Sequence, residues 1–386
     1  MPVIGSIARF GEQMTEWRRH LHAHPEIAFE EHGTAAFVAA RLEEWGIAVR
    51  RGMAGTGVVG TLKIGEGPAI GLRADMDALT MHEANAFAHR STRAGCMHAC
   101  GHDGHMAMLL GAARYLAESK RFNGTVYFIF QPAEENEGGG RVMVEQGLFQ
   151  EFPMMAIYGM HNWPGLPTGR FALRSGSVMA AFDIFEITIV GKGTHAAMPH
   201  LGIDPVVAAS AIVTGLQTIA SRGTDPLEAA VVSVTQFHAG DTWNVIPERA
   251  VLRGTVRALT PEVQDKTETA LHRVVESIAA AHGAGARVHY ERRYPPTIND
   301  AIETEHAAVA AALVVGEENV ERNGEPSMGS EDFAFMLEQK AGSYAWIGNG
   351  STEGGCTLHN PRYDFNDAIL PLGASYWATL VETRLA

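Results

Sequence analysis

Thr125-Val126-Tyr127-Phe128-Ile129-Phe130-Gln131-Pro132-Ala133-Glu134-Glu135 is an apolar, β-rich run that stops at a proline and opens onto two adjacent acids. A short run of this composition reads as a strand buried on both faces. The segments around it alternate in the same way. Residues 7–22, 34–45, 105–119 and 140–146 carry helical patterns, and 57–64, 69–73 and 155–160 are β-rich. Strands alternating with helices predict an α/β domain, with a mostly parallel central sheet flanked by helices. In such sheets the reactive groups gather beyond the carboxyl ends of the strands. Asp75 and Asp77, Glu134 and Glu135, and His161 each follow one of these strands. Their placement predicts one shared site.

The pattern changes near Ser175. Residues 182–190 alternate as a half-exposed strand does. A helix at 204–221, strands at 229–237 and 249–258, a helix at 262–281 and a strand at 287–293 follow. The order βαββαβ is that of a ferredoxin-like unit. Beyond Pro295 and Pro296 the chain reads as helical again, then as a strand at 343–347 with His359 after it. The expectation is a discontinuous metal-binding catalytic domain, residues 1–177 and 294–386, interrupted by an inserted domain at 178–293.

The chemistry concentrates in Cys100-Gly101-His102-Asp103-Gly104-His105. Thiolate and imidazole suit a transition metal such as zinc or nickel, while added carboxylates also admit manganese or cobalt. A carboxylate that stays off the metal can take the proton of an attacking water. A lone buried cysteine or capping histidine is the commoner occupant of such positions. Cys-x-His together with two adjacent acids, His161 and His359 argues instead for a hydrolase with two metal ions. His98 and His105 read as supporting residues. Asp75 reads as a helix cap or a site residue, and Asp77 as the group that orients a ligand histidine. His195, Asn244 and Arg257 lie in the inserted segment, where spacing alone assigns them nothing. Arg257 is suited to a carboxylate.

Composition sets the limits. At 386 residues two domains are the natural division, and 46% hydrophobic residues supply a sizeable core. A net charge of −14 argues against nucleic acid or an anionic membrane as partner. No apolar run is long enough to span a bilayer, and residues 1–20 lack the pattern of a signal peptide. Three cysteines, Cys96, Cys100 and Cys356, make no disulfide framework. A cytoplasmic, reducing setting is expected, with a small-molecule partner.

Read as a whole, the chain resembles the metal-dependent amidohydrolases that include hippurate hydrolases, N-acyl-L-amino-acid amidohydrolases and auxin-conjugate hydrolases, relatives of aminoacylases and glutamate carboxypeptidases. The resemblance runs from H-A-H-P-E-I-A-F-E-E at His22, through M-H-A-C-G-H-D-G-H and F-Q-P-A-E-E, to H-N-P-R-Y-D-F-N-D at His359. It implies two divalent metal ions bridged by Cys100, one bound also by His102 and His161, the other by Glu135 and His359. It implies Glu134 as general base. It implies His195 reaching across a homodimer interface to steady an oxyanion, with Asn244 and Arg257 on the substrate. The inserted domain would be the lid and dimerisation domain. The implied reaction is hydrolysis of an N-acyl amino acid, with a dipeptidase or carboxypeptidase on the same scaffold as the alternative. Asp75 stands where the wider relatives carry a metal-binding histidine, and is not read as a ligand. Thr80 replaces a usual proline, and residues 84–93 are atypical.

Overall fold

The computed structural model describes residues 3–135 and 137–386. By contacts the chain divides into two units. One comprises residues up to Val178, Ile298–Glu325 and Asp332–Ala386. The other comprises Met179–Thr297 and Pro326–Glu331, a short return that the sequence reading placed with the first.

The first unit is built on a sheet of eight strands, in the order Ala48–Met53, Gly57–Ile64, Gly124–Gln131, Ala69–Asp75, Ala156–Pro164, Gly342–Gly350, Phe171–Ala172 and Val320–Glu321. Its four central strands, from Gly124–Gln131 to Gly342–Gly350, run parallel. Every residue of Gly124–Gln131 is buried, as an uninterrupted apolar strand covered on both faces requires. The chain runs from Ala69–Asp75 leftward to Gly124–Gln131, then back across to Ala156–Pro164. That reversal is a topological switch point, where the loops beyond the strand ends separate and leave a crevice.

The helix His102–Ser119 covers this sheet and is buried along almost its whole length. It packs on the C-terminal helix Leu370–Arg384 at two glycines. A Cβ on Gly111 would lie 3.1 Å from Ala374, and one on Gly373 would lie 2.0 Å from the Met108 sulfur. The sequence reading gave no boundaries for Leu370–Arg384. It is buried on most sides, so no single apolar stripe marks it. The predicted helix at 7–22 is two helices, Gly5–Ala8 and Gly11–Ala23.

The second unit has a four-stranded antiparallel sheet in the order Ala230–Ala239, Arg249–Ala258, Phe182–Val190, Gly285–Tyr294. Phe182–Val190 alternates strictly, turning Phe185, Ile187 and Ile189 inward. They meet Ile212 and Leu216 of the helix Pro205–Thr218 and Leu271 and Val275 of the helix Pro261–Ala281. Both helices begin where the sequence caps them. Asp204 accepts from the Val206 and Val207 amides, and Thr260 from the Val263 amide. Pro205 and Pro261 follow at the first helical position. The helix expected at 204–221 gives way to a wider turn at Ile219–Gly223. No helix among the described residues is long and apolar enough to cross a membrane.

Candidate metal centre

The donors belong to the first unit and converge at the carboxyl-end side of its central strands, with Asp75 closing Ala69–Asp75 and His161 inside Ala156–Pro164. Cys100, His102 and His161 place one ligand atom each within 4.8 Å of one another, and so do Cys100, Glu135 and His359. Cys100 is common to both groups. His102, Glu134 and Glu135 form a third group, and Asp75, His102 and His105 a fourth.

Local backbone geometry explains the convergence. Gly101 has φ of +105° and precedes the helix that starts at His102. A Cβ there would fall 2.1 Å from Asn162 Oδ1 and 2.6 Å from the Tyr363 hydroxyl, so only glycine fits. Gly104 is equally constrained, since its Cβ would meet the Phe365 ring at 2.2 Å. Ala133 and His359 are non-glycine residues at φ of +54° and +60°, a conformation costing roughly 1–2 kcal/mol each. Such strain persists where surrounding contacts hold it, and it clusters at functional sites. Ala133 is held by Glu31, whose carboxylate accepts its amide at 2.8 Å, and His359 by an amide bond to the Ala99 carbonyl at 2.8 Å.

Gly104→Ala is therefore expected to overpack the start of the helix and lower unfolding free energy by about 1–3 kcal/mol. Urea denaturation checks this, and an unchanged midpoint would contradict the tight contact with Phe365.

The hydrogen bonds fix the imidazole tautomers. His102 Nδ1 lies 2.9 Å from the Asp77 carbonyl, and His161 Nδ1 is at the same kind of distance, 2.6 Å, from the Asn162 carbonyl. A carbonyl only accepts, so each Nδ1 carries a proton, and Nε2 is the atom each ring would offer to a metal. His161 Nε2 is 3.3 Å from Cys100 Sγ. His102 Nε2 and Glu135 Oε1 are buried without a hydrogen-bond partner. Buried polar atoms of this kind are costly unless something binds them. Glu135 Oε1 is also 3.1 Å from His359 Nε2, outside hydrogen-bond alignment. Asp77 anchors the arrangement from behind. Its Oδ2 accepts from the Glu135 amide at 2.9 Å, while Oδ1 lies 3.3 Å from His102 Nδ1.

The electrostatics also call for cations. Burial, then Glu135, Glu134 and Asp75, hold the Cys100 thiol well above its usual range. Burial disfavours a charged His102, but Asp75 and Asp77 outweigh it and push the ring up to about 10. Burial, then His105, holds His161 well below the ordinary value. Thiol and ammonium-like forms bind no metal, so a divalent ion would displace those protons and relieve the crowding of carboxylates. The donor set of thiolate, imidazole and carboxylate fits zinc, nickel, manganese or cobalt.

Several site-shaping residues escaped the sequence reading. Asn162 and Tyr363 close the back of the site, with the Asn162 amide 2.6 Å from the Tyr363 hydroxyl and Asn162 Oδ1 2.7 Å from His105 Nε2. His22 bridges Asp103 at 2.9 Å and Glu83 at 3.2 Å. Burial opposes its charge, but these two acids raise it to about 9. Glu83 in turn accepts from the Ser91 amide at 2.6 Å, which ties the atypical loop at 84–93 to the start of the metal helix. His98, which the sequence does point to as a supporting residue, is buried with both ring nitrogens unpartnered, and burial lowers it to about 4.

The other three expected residues lie in the second unit. His195 is exposed in a two-residue strand paired with Val245–Ile246, next to Asn244. Its Nδ1 accepts from the Ala197 amide at 3.0 Å, which leaves the proton on Nε2, facing outward as a donor. The Ala196 amide donates to the Asn244 carbonyl at 3.0 Å. Arg257 stacks on Phe182, with its guanidinium carbon 3.9 Å from the ring centroid. Burial lowers its pKa, partly offset by Asp183.

The chain is similar to known proteins along almost its whole length. The chain is 41% identical to the hippurate hydrolase of Campylobacter jejuni over 98% of both chains. It is 40% identical to the N-acetyl-L-cysteine deacetylase of Bacillus subtilis, over 96% of this chain and 88% of that one. The crystal structure of the B. subtilis YXEP protein, described as a dinuclear metal-binding peptidase from the M20 family, superposes with a TM-score of 0.86 at 37% identity, covering 98% and 99% of the two chains. The profile of Peptidase family M20/M25/M40 matches residues 71–383, from the strand before Asp75 to the end of the C-terminal helix. With the donors gathered as they are and relatives matched along its full length, the chain belongs to peptidase family M20/M25/M40, and it is a metal-dependent amidohydrolase.

Proposed function

We propose that the protein hydrolyses the amide bond of N-acyl amino acids, releasing a carboxylic acid and a free amino acid. The observation that carries this reading is the position of Cys100, common to two groups of three possible ligand atoms. Cys100 would bridge two ions, with His102 and His161 on one and Glu135 and His359 on the other. When bound, the ions would polarise the acyl carbonyl and acidify the attacking water. Glu134, beside His102 and Glu135, takes the water's proton and returns it to the leaving amine. His195 donates from Nε2 to the carbonyl oxygen as charge develops there. Asn244 and Arg257 hold the substrate's backbone and carboxylate, the latter suited to a bidentate fork. Asp77 keeps His102 and the Glu135 backbone in place.

The four-stranded antiparallel sheet of the second unit supports the ferredoxin-like reading, and we read the unit as a lid and dimerisation domain inserted into the catalytic one. Its edge strand Ala230–Ala239 pairs on one side, and Trp243 just beyond it is fully exposed. Both suit a homodimer in which His195 serves the partner's site. A reducing, cytoplasmic setting would keep Cys100 available as thiolate.

The test is a panel of N-acetyl, N-benzoyl and N-indoleacetyl amino acids, run beside dipeptides on enzyme reconstituted with zinc, manganese, nickel or cobalt. Turnover of the acyl amino acids, abolished by chelation, is the expected result. Turnover confined to dipeptides would establish the alternative of a dipeptidase or carboxypeptidase, which the peptidase among the structural neighbours keeps in view. Activity that survives chelation would point to Cys100 as a nucleophile and overturn the reading.

A bridging thiolate also makes the enzyme sensitive to oxidation, because a sulfinic acid cannot hold both ions in place. Mild peroxide is expected to abolish turnover and release metal, and Cys100→Asp to blunt both. Equal inactivation of that variant would locate the vulnerable residue elsewhere.

A further inference from the structure

Among the carboxylates around His102, Glu135 and Asp75 are held in opposite ways. Glu135 Oε1 is buried with no aligned hydrogen bond, and its near neighbour is His359 Nε2 at 3.1 Å, itself a candidate ligand. Asp75 has both oxygens engaged. Its Oδ1 accepts from His105 Nδ1 at 2.6 Å, and its Oδ2 accepts from Arg73 at 2.7 Å. Yet Asp75 Oδ2 is only 3.8 Å from His102 Nε2, close enough for one cation to take both atoms. Arg73 and Asp75 are fully buried. Arg73 is itself anchored from the far side. Its Nε donates to Gln131 at 2.8 Å and a terminal nitrogen to Asp332 at 3.0 Å, with the Phe333 ring centroid 5.6 Å from its guanidinium carbon. Asp332 is held in turn by Gln131 and by the Gly140 amide at 2.7 Å. The guanidinium therefore stands in a fixed place and binds the one oxygen of Asp75 that faces His102. Its charge also opposes a cation on that oxygen, strongly so in a buried setting.

We propose that Arg73 is a positioning residue that keeps Asp75 out of the metal's ligand set, and thereby leaves a position beside His102 open to water and substrate. This rests on the two-metal reading above. Asp75 then serves to orient His105, and through it Asn162, rather than to bind the ion.

The test uses the full-length enzyme reconstituted with cobalt, whose visible bands report coordination number independently of turnover. Wild type and Asp75→Asn are expected to share band positions and intensities, since Asp75 is no ligand. In Arg73→Met/Asp332→Asn, which removes the guanidinium together with the buried charge that it balances, Asp75 is released. The bands should then weaken as coordination rises, and cobalt should pass to a chelator about tenfold more slowly, an added carboxylate ligand tightening the site. Adding Asp75→Asn to that variant should restore the wild-type spectrum. A spectrum altered by Asp75→Asn alone would overturn the proposal, because Asp75 would already be a ligand. So would a folded double variant with wild-type bands and chelation rate. If the double variant does not fold, Arg73→Gln alone carries the same test: weakened bands that Asp75→Asn reverses are expected, and wild-type bands would overturn the proposal. Failure of the wild type to bind cobalt at all would instead count against the two-metal reading.

Discussion

Glu134→Gln is expected to retain both metal ions and lose about a hundred- to ten-thousand-fold in turnover, the usual contribution of a general base. Glu135→Gln is expected to lose metal as well as activity. The two side chains are adjacent in sequence but differ in environment. Glu135 has its amide tied to Asp77 Oδ2 and an unpartnered oxygen near His359 and Cys100. Glu134 groups with His102 and Glu135 but belongs to neither donor set that contains Cys100. Metal analysis after desalting, alongside turnover of N-benzoylglycine, separates the two roles. Equal metal loss in both variants would undo the assignment.

The second large effect concerns His195. Removing one well-placed oxyanion donor costs about 10²–10³ in turnover, so His195→Ala should be nearly inactive with both metals bound. If His195 acts in the partner's site, mixing it with Glu134→Gln restores activity. A heterodimer would then have one site bearing both lesions and one bearing neither. Each variant alone stays nearly dead, and the mixture, after subunit exchange, should recover toward a quarter of wild type, about half the dimers being mixed and half their sites intact. Verified heterodimers without activity would leave His195 acting within its own chain or not at all.

Much of this molecule is legible in its sequence because its strands are extreme. Thr125 to Phe130 is unmistakable as a buried strand, Phe182–Val190 stands in the structure where its alternation places it, and Arg249–Ala258 has the bounds expected of it. The donors are legible for a different reason. Cysteine, histidine and acid clusters at strand ends are rare unless they share a ligand, and the structure brings Cys100, His102, Glu135, His161 and His359 together. Contacts made at long range are not legible. Nothing in the local pattern of Arg73 announces Asp332, more than two hundred residues away, although an arginine inside an otherwise apolar strand signals a buried partner. The same holds for His22 with Asp103, and for Gly104, whose small size answers to Phe365. Short strands such as Phe171–Ala172 and Val320–Glu321 are too brief for periodicity to register.

The most direct measurement is a titration of metal-free enzyme with manganese or zinc, following bound metal and N-benzoylglycine hydrolysis in the same samples. A centre bridged by Cys100 predicts two equivalents bound per subunit, with turnover appearing as the second fills and absent in Cys100→Ala. Full activity with one equivalent, or undiminished activity in Cys100→Ala, would contradict the account.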